Sequence, residues 1–191
     1  MINKKFLEQL RQEYRANESE RRQIISAANN ILFEAKKTIF ALQRRDWKSA
    51  AEKLAANEQA LKDLERRFGP GRLSREGAYK AAAEEYLEGK TFYLIAKQRE
   101  IVATPELSLD YESYLGGICD LIGELVRYAT NRAADGKFGE VAKIKKTADA
   151  IMAQLADFDL TGYLRTKYDQ ARGHLRKLEQ MAYEIRLRVK K

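Results

Sequence analysis

The stretch Leu109-Asp110-Tyr111-Glu112-Ser113-Tyr114-Leu115-Gly116-Gly117-Ile118-Cys119-Asp120-Leu121-Ile122-Gly123-Glu124-Leu125-Val126-Arg127 decides how this chain is read. At about 100° per residue, Tyr114, Leu115, Ile118, Cys119, Leu121, Ile122, Leu125, Val126, Tyr128 and Ala129 spread over roughly half a helix circumference. Ser113, Asp120, Glu124, Arg127 and Asn131 fall in a stripe roughly 60° wide on the other side. A helix apolar over half its circumference is mostly buried. Gly116 and Gly123 flank the polar stripe. Glycine weakens a helix and gains nothing at an ordinary surface, so these positions point to close approach by another helix or a ligand.

The same grammar extends outward. Two prolines among 191 residues, Pro70 and Pro105, leave room for long helices. Phe68-Gly69-Pro70-Gly71, Thr104-Pro105, Asp135-Gly136-Lys137 and Asp157-Phe158-Asp159 read as breaks. Between them the spacing predicts helices over 3–44 (bent or broken near Asn17-Glu18-Ser19), 46–67, 74–103, 109–134, 138–156 and 161–189, with Ser108 or Asp110 capping the fourth. No run alternates as a strand does. The expected fold is an all-α bundle of six to seven antiparallel helices in a single domain, 1–191, with short connections.

Composition excludes several function classes. Hydrophobic residues are 45% and charged ones 34%, too apolar for a disordered chain and too charged for a membrane protein. No run of about 18 uncharged apolar residues occurs and the first residues hold no apolar signal core, so a cytoplasmic protein is expected. A single cysteine, Cys119, and a single histidine, His174, rule out a disulfide framework, zinc fingers and paired-histidine chemistry. The 36 Lys and Arg exceed the 28 Asp and Glu, for a net charge of +8. Residues 162–191 hold nine of those cations (Arg165, Lys167, Arg172, Arg176, Lys177, Arg186, Arg188, Lys190, Lys191) against three acids. That suggests either a polyanion partner or a solvated helix end.

Two carboxylate pairs stand out. Glu85 and Glu88 share a helix face with Phe92 and Ile95, whereas Glu84 lies off that line and is expected to face solvent. Glu85 and Glu88 lie about 17 positions before Pro105, and Asp120 and Glu124 about 17 after it, so at about 1.5 Å per residue they reach similar heights on antiparallel helices. Four carboxylates at one level need a proton, a cationic side chain or a metal. An all-oxygen set suits Mg²⁺ or Mn²⁺, the ions of phosphate-ester chemistry.

Other features read as structural. Trp47 follows Asp46 at a helix start. Tyr79, Tyr86 and Tyr93 form a packing stripe before a base-stacking platform. Cys119 belongs to the core, and His174 is a surface or partly buried residue.

The 109–127 stretch, with Glu34-Ala35-Lys36-Lys37-Thr38-Ile39-Phe40-Ala41-Leu42-Gln43-Arg44 and Leu164-Arg165-Thr166-Lys167-Tyr168-Asp169 running into Lys177-Leu178-Glu179, resembles the translin family. Glu85-Tyr86-Leu87-Glu88 and Asp120-Leu121-Ile122-Gly123-Glu124 resemble the acidic motifs of its catalytic branch, the translin-associated factor X type, in a compact archaeal style. The resemblance implies an endoribonuclease whose Glu85, Glu88, Asp120 and Glu124 hold Mg or Mn ions and act on RNA. It implies a homo-oligomer, an octamer with inward-facing sites. Arg127, one helical turn beyond Glu124, is expected either to contact a phosphate or to pair with Glu124 and hold it in place. Arg72, Arg75 and Lys80 stand where translin carries a histidine-bearing RNA-binding segment. The alternative is a non-catalytic translin-like binder of RNA or single-stranded DNA.

Overall fold

Residues 2–189 are described here from a computed structural model. Their helices follow from apolar spacing and caps. The first, α1 (Lys4–Gln43), starts at Asn3, whose side chain accepts from the backbone N–H of Lys5 and Phe6. Its buried residues Ile24, Ala28, Ile31, Ala35, Ile39 and Leu42 recur every three or four positions. The expected break near Asn17-Glu18-Ser19 does not occur. The Asn17 amide donates to the Glu13 carbonyl, so a side chain that competes with the helix elsewhere closes on it here.

After α1 come α2 (Trp47–Phe68), the single turn α3 (Pro70–Leu73), α4 (Gly77–Ala96), α5 (Tyr111–Ala134), α6 (Phe138–Ala156) and α7 (Gly162–Val189). The fold is all-α, and no strand occurs among the described residues. Asp46 caps α2 by accepting from the Ser49 N–H, and Trp47, the first residue of that helix, packs half-buried against the core.

The largest departure from expectation is at the end of α4, which stops at Ala96 instead of running to 103. Gln98 adopts φ 55°, its N–H reaches the Ile95 carbonyl, and the Arg99 N–H reaches Leu94. This double closure is a Schellman stop. The link to α5 is therefore long rather than short. It is pinned by Leu107 in the core, by the Thr104 N–H on the Tyr114 hydroxyl and by the Ser108 N–H on Glu65. The helices it joins still pack together.

Two apolar clusters form the interior. One gathers α5, α6, α7 and the ends of α1 and α4 around Phe92, Ile122, Leu125 and Leu178. The other gathers α1, α2 and α4 around Ile24, Leu61, Tyr86 and Leu87. Tyr93 touches both. The arc of α5 behaves as its spacing predicts: Cys119, Leu121, Ile122, Leu125, Val126 and Ala129 are all buried. No helix among the described residues is long and apolar enough to cross a membrane.

Candidate carboxylate centre

The helix α4 is buried on most sides, and this changes the role of its acids. Glu84, expected to face solvent, is 8% exposed and Glu88 is 7% exposed, while Glu85 is half-buried. The reason lies 79 residues further along the chain. Near the start of α7, Tyr163 donates its hydroxyl to Glu84 Oε2 at 2.7 Å, and Lys167 Nζ lies 3.3 Å from the same oxygen. Lys167 also donates to Asp120 Oδ2 on α5. One ammonium thus joins three helices, and it is turned inward although it belongs to the basic run of α7. Lys190 and Lys191 of that run lie outside the described residues.

The glycines of α5 account for the fit. A Cβ on Gly116 would stand 2.8 Å from the Glu84 carboxyl carbon, and one on Gly117 would stand 2.9 Å from the Glu84 carbonyl oxygen. Gly123 faces α7 instead, where a Cβ would meet His174 Nε2 at 3.3 Å. The close approach anticipated for Gly116 and Gly123 is made by protein side chains.

Glu124 is held from α1. Gln43, 5% exposed, donates through Nε2 to Glu124 Oε2 at 2.6 Å and to the Glu124 carbonyl at 2.9 Å. The Gln43 Oε1 accepts from Asn131 at 3.3 Å. Arg127 lies half exposed, its guanidinium 3.6 Å from Glu124 Oε2.

Glu85 and Glu88 are treated differently. Burial, reinforced by the charges of Glu85, Asp120 and Glu124, pushes the Glu88 carboxyl up to about 9. Burial also raises Glu85, with Lys36 opposing and Asp120 and Glu124 adding to the rise. All four carboxylates therefore lie within electrostatic reach of one another. Lys167, although burial works against its charge, is held above the ordinary lysine range by its hydrogen bonds to Asp120 and Tyr163.

Among the described residues no three His, Cys, Asp or Glu side chains converge closely enough to hold a metal ion. Lys167 and Gln43 hold Asp120 and Glu124 instead. In chemistry the set still fits a hard divalent cation: four carboxylates and no soft donor, with Glu88 buried under the charges of its three neighbours.

The remaining candidates sit apart from this centre. Arg72 is tied to Glu76 at 2.7 Å and to Glu20 at 3.5 Å. Lys80 is tied to Glu112 at 2.8 Å and to Asp110 at 3.6 Å. Arg75, by contrast, is exposed. Cys119 is buried, with burial pushing its thiol up to about 11. Tyr79 and Tyr86 pack inside and donate to Glu65 and Glu58, as a structural stripe does. Sequence reasoning missed Gln43, Glu84, Tyr163 and Lys167. The only local signals are an amide ending an apolar run on α1 and the i,i+4 spacing of Tyr163 and Lys167.

The translin family model matches residues 19–189. The chain belongs to the translin family. Its fold is that of solved members. It superposes on the structure described as apo-NeC3PO with a TM-score of 0.82 and 25% identity, covering 96% of this chain and 97% of that one. It matches AfC3PO in complex with duplex RNA equally well, with a TM-score of 0.82 and 20% identity over 95% of this chain and 96% of that one. An uncharacterized protein of Methanocaldococcus jannaschii, MJ0175, is 31% identical over 98 residues. That match takes in 49% of this translin-family chain and 44% of the relative, so the chain spans less than half of that protein's length.

Proposed function

We infer that this translin-family chain is a metal-dependent endoribonuclease of the catalytic branch, with Glu85, Glu88, Asp120 and Glu124 as the residues that hold Mg or Mn. The observation that carries the reading is Glu88. A carboxyl so deeply buried, and facing three other acids, is costly to the fold unless the site uses it. The solved relative with duplex RNA supports RNA as the polyanion.

A bound Mg²⁺ or Mn²⁺ would supply acidification of a water and charge stabilisation at the scissile phosphate. The chain's own residues do the rest. Gln43 fixes the orientation of Glu124. Glu88, whose carboxyl is pushed up to about 9 by burial and its acidic neighbours, would hold the ion as a carboxylate, its proton passing to solvent. Lys167 joins Glu84 and Asp120 through one shared ammonium. Arg127, half exposed at the edge, is placed to contact a phosphate. Arg75 offers a more remote backbone contact, and Arg72 and Lys80 would do so only by exchanging their present carboxylate partners. We take the working unit to be a single domain in a cytoplasmic homo-oligomer, an octamer as the family resemblance implies. Phe6, Leu10 and Tyr14 on the exposed first turns of α1 are apolar surface available for such assembly.

The test is cleavage of end-labelled RNA with Mn²⁺ by the wild type, Glu124→Ala and Glu85→Gln/Glu88→Gln. Cleavage by the wild type and its loss in both variants, with RNA binding retained, is the expected result. Unchanged cleavage in the variants overturns the site.

A second reading is a non-catalytic binder of RNA or single-stranded DNA. The engagement of Asp120 by Lys167 and of Glu124 by Gln43 favours it, since both carboxylates already have protein partners. It wins if the wild type binds RNA in a steeply salt-dependent way and cuts it in no divalent metal.

A further inference from the structure

About one helical turn beyond Glu88 on α4 and Glu124 on α5, a cavity of about 670 Å³ opens between the α1–α2 corner, the end of α4, α5 and α6. That volume is in the range of small-molecule sites. Its apolar wall carries three aromatic rings, Trp47, Phe92 and Tyr128. Phe92 and Tyr128 meet edge to face at 5.5 Å, and Lys97 stands 5.3 Å over the Trp47 ring.

The charge around these rings is one-sided. Arg45, Lys97, Lys143 and Lys146 line the cavity against a single acid, Glu140. Among the described residues none of the four forms an ion pair within 4.0 Å. Their four positive charges face one cavity with only Glu140 to offset them. Arg45 and Lys97 follow helix C-termini, where positive charge is favourable in any case. Lys143 and Lys146 lie inside α6, where no helix end calls for them.

The backbone carries an independent sign. Arg45 and Gln98 are the two non-glycine residues with left-handed backbone among the described residues, at φ 64° and 55°, and both line this cavity. Each is the left-handed residue of a Schellman stop: the Arg45 and Asp46 N–H groups close on Leu42 and Ala41, as those of Gln98 and Arg99 do on Ile95 and Leu94. Glycine is the usual occupant of such a position, and Gly136 fills it after α5. At the cavity, two long polar side chains stand where the backbone asks for none. Strain concentrated at one place is a pointer to binding.

We propose that this cavity is a nucleoside-phosphate site, in which a base stacks against Trp47 and the phosphate is held by Arg45, Lys97, Lys143 and Lys146. The ligand is a free mononucleotide or the 5′-phosphorylated end of an RNA strand, which share that chemistry. The proposal stands apart from the nuclease reading, because it uses none of the four carboxylates.

Trp47 is the only tryptophan in the chain, so its fluorescence reports on this cavity directly. The experiment titrates AMP, ATP, adenosine, and one short RNA with either a 5′-phosphate or a 5′-hydroxyl. The expected result is saturable quenching by a phosphorylated ligand, at least tenfold weaker without the phosphate, and weakened at least tenfold in Lys143→Gln/Lys146→Gln. Those two lysines are exposed, so circular dichroism of the variant should match the wild type. Quenching retained in Glu88→Gln separates the site from the carboxylate centre. Binding of AMP identifies the free nucleotide, and binding of the 5′-phosphorylated RNA alone identifies the strand end. Absence of saturable quenching by all phosphorylated probes overturns the proposal. So does equal affinity for adenosine, or indifference to Lys143→Gln/Lys146→Gln.

Discussion

Gln43 on α1 grips Glu124 on α5 twice, side chain to side chain at 2.6 Å and side chain to backbone at 2.9 Å. A buried amide bonded to both the carboxylate and the backbone of one residue fixes that residue's rotamer and its helix position together. Gln43→Ala should cost about 1–2 kcal/mol of stability through the lost hydrogen bonds. If the nuclease reading holds, it should also lower cleavage roughly tenfold, as removal of an orienting partner does. Thermal melts and single-turnover cleavage measure the two effects separately.

Lys167 is the cation shared by Glu84 and Asp120. Lys167→Met leaves the buried Glu84 carboxylate without compensation and should destabilise by about 3 kcal/mol. Tyr163→Phe removes one neutral donor from the same carboxylate and should cost about 1 kcal/mol. Urea unfolding distinguishes the two. Equal costs would show that Lys167 contributes no more than a hydrogen bond.

Glu88 predicts a pH dependence. Its carboxyl titrates at about 9 in the folded chain, against an ordinary 4.5. A raised carboxyl favours the folded state fully below the unfolded value, and that contribution is lost as pH rises through the folded one. Between about pH 5 and 9, in chelator, the wild type should lose stability relative to Glu88→Gln, in which that titration is absent. Parallel curves for the two proteins would refute the burial argument.

The glycines of α5 should not be equivalent. Gly117→Ala drives a methyl against the Glu84 carbonyl and Leu87 Cβ, which are backbone and core, and should cost about 2 kcal/mol or more. Gly123→Ala meets only the end of a half-buried His174 and gains helix propensity of about 1 kcal/mol, so its stability should equal or exceed that of the wild type. Thermal denaturation of the two variants is sufficient.

How much of this was legible in the sequence varies by element. The buried arc of α5 follows from spacing alone, because a half-circumference of apolar side chains has one way to be satisfied. The end of α4 did not follow: Ile101 and Val102 continue an apolar pattern, and only the backbone closure at Gln98 and Arg99 shows where the helix stops. The pairing of Glu85 and Glu88 with Asp120 and Glu124 was legible as a matter of height on antiparallel helices. The burial of Glu84 was not, since it depends on a tyrosine and a lysine from a helix far along the chain. Local periodicity describes the face a residue presents to its own helix; it is silent on which distant element covers that face.

The dependence of Glu84 on Tyr163 and Lys167 also orders events in time. A ribosome-bound chain that has emerged only as far as residue 160 already holds every carboxylate of the centre, yet neither group that compensates Glu84. Glu84 and Asp120 gain their shared cation only when α7 packs onto them. Compensation of Glu84 therefore waits on the docking of α7.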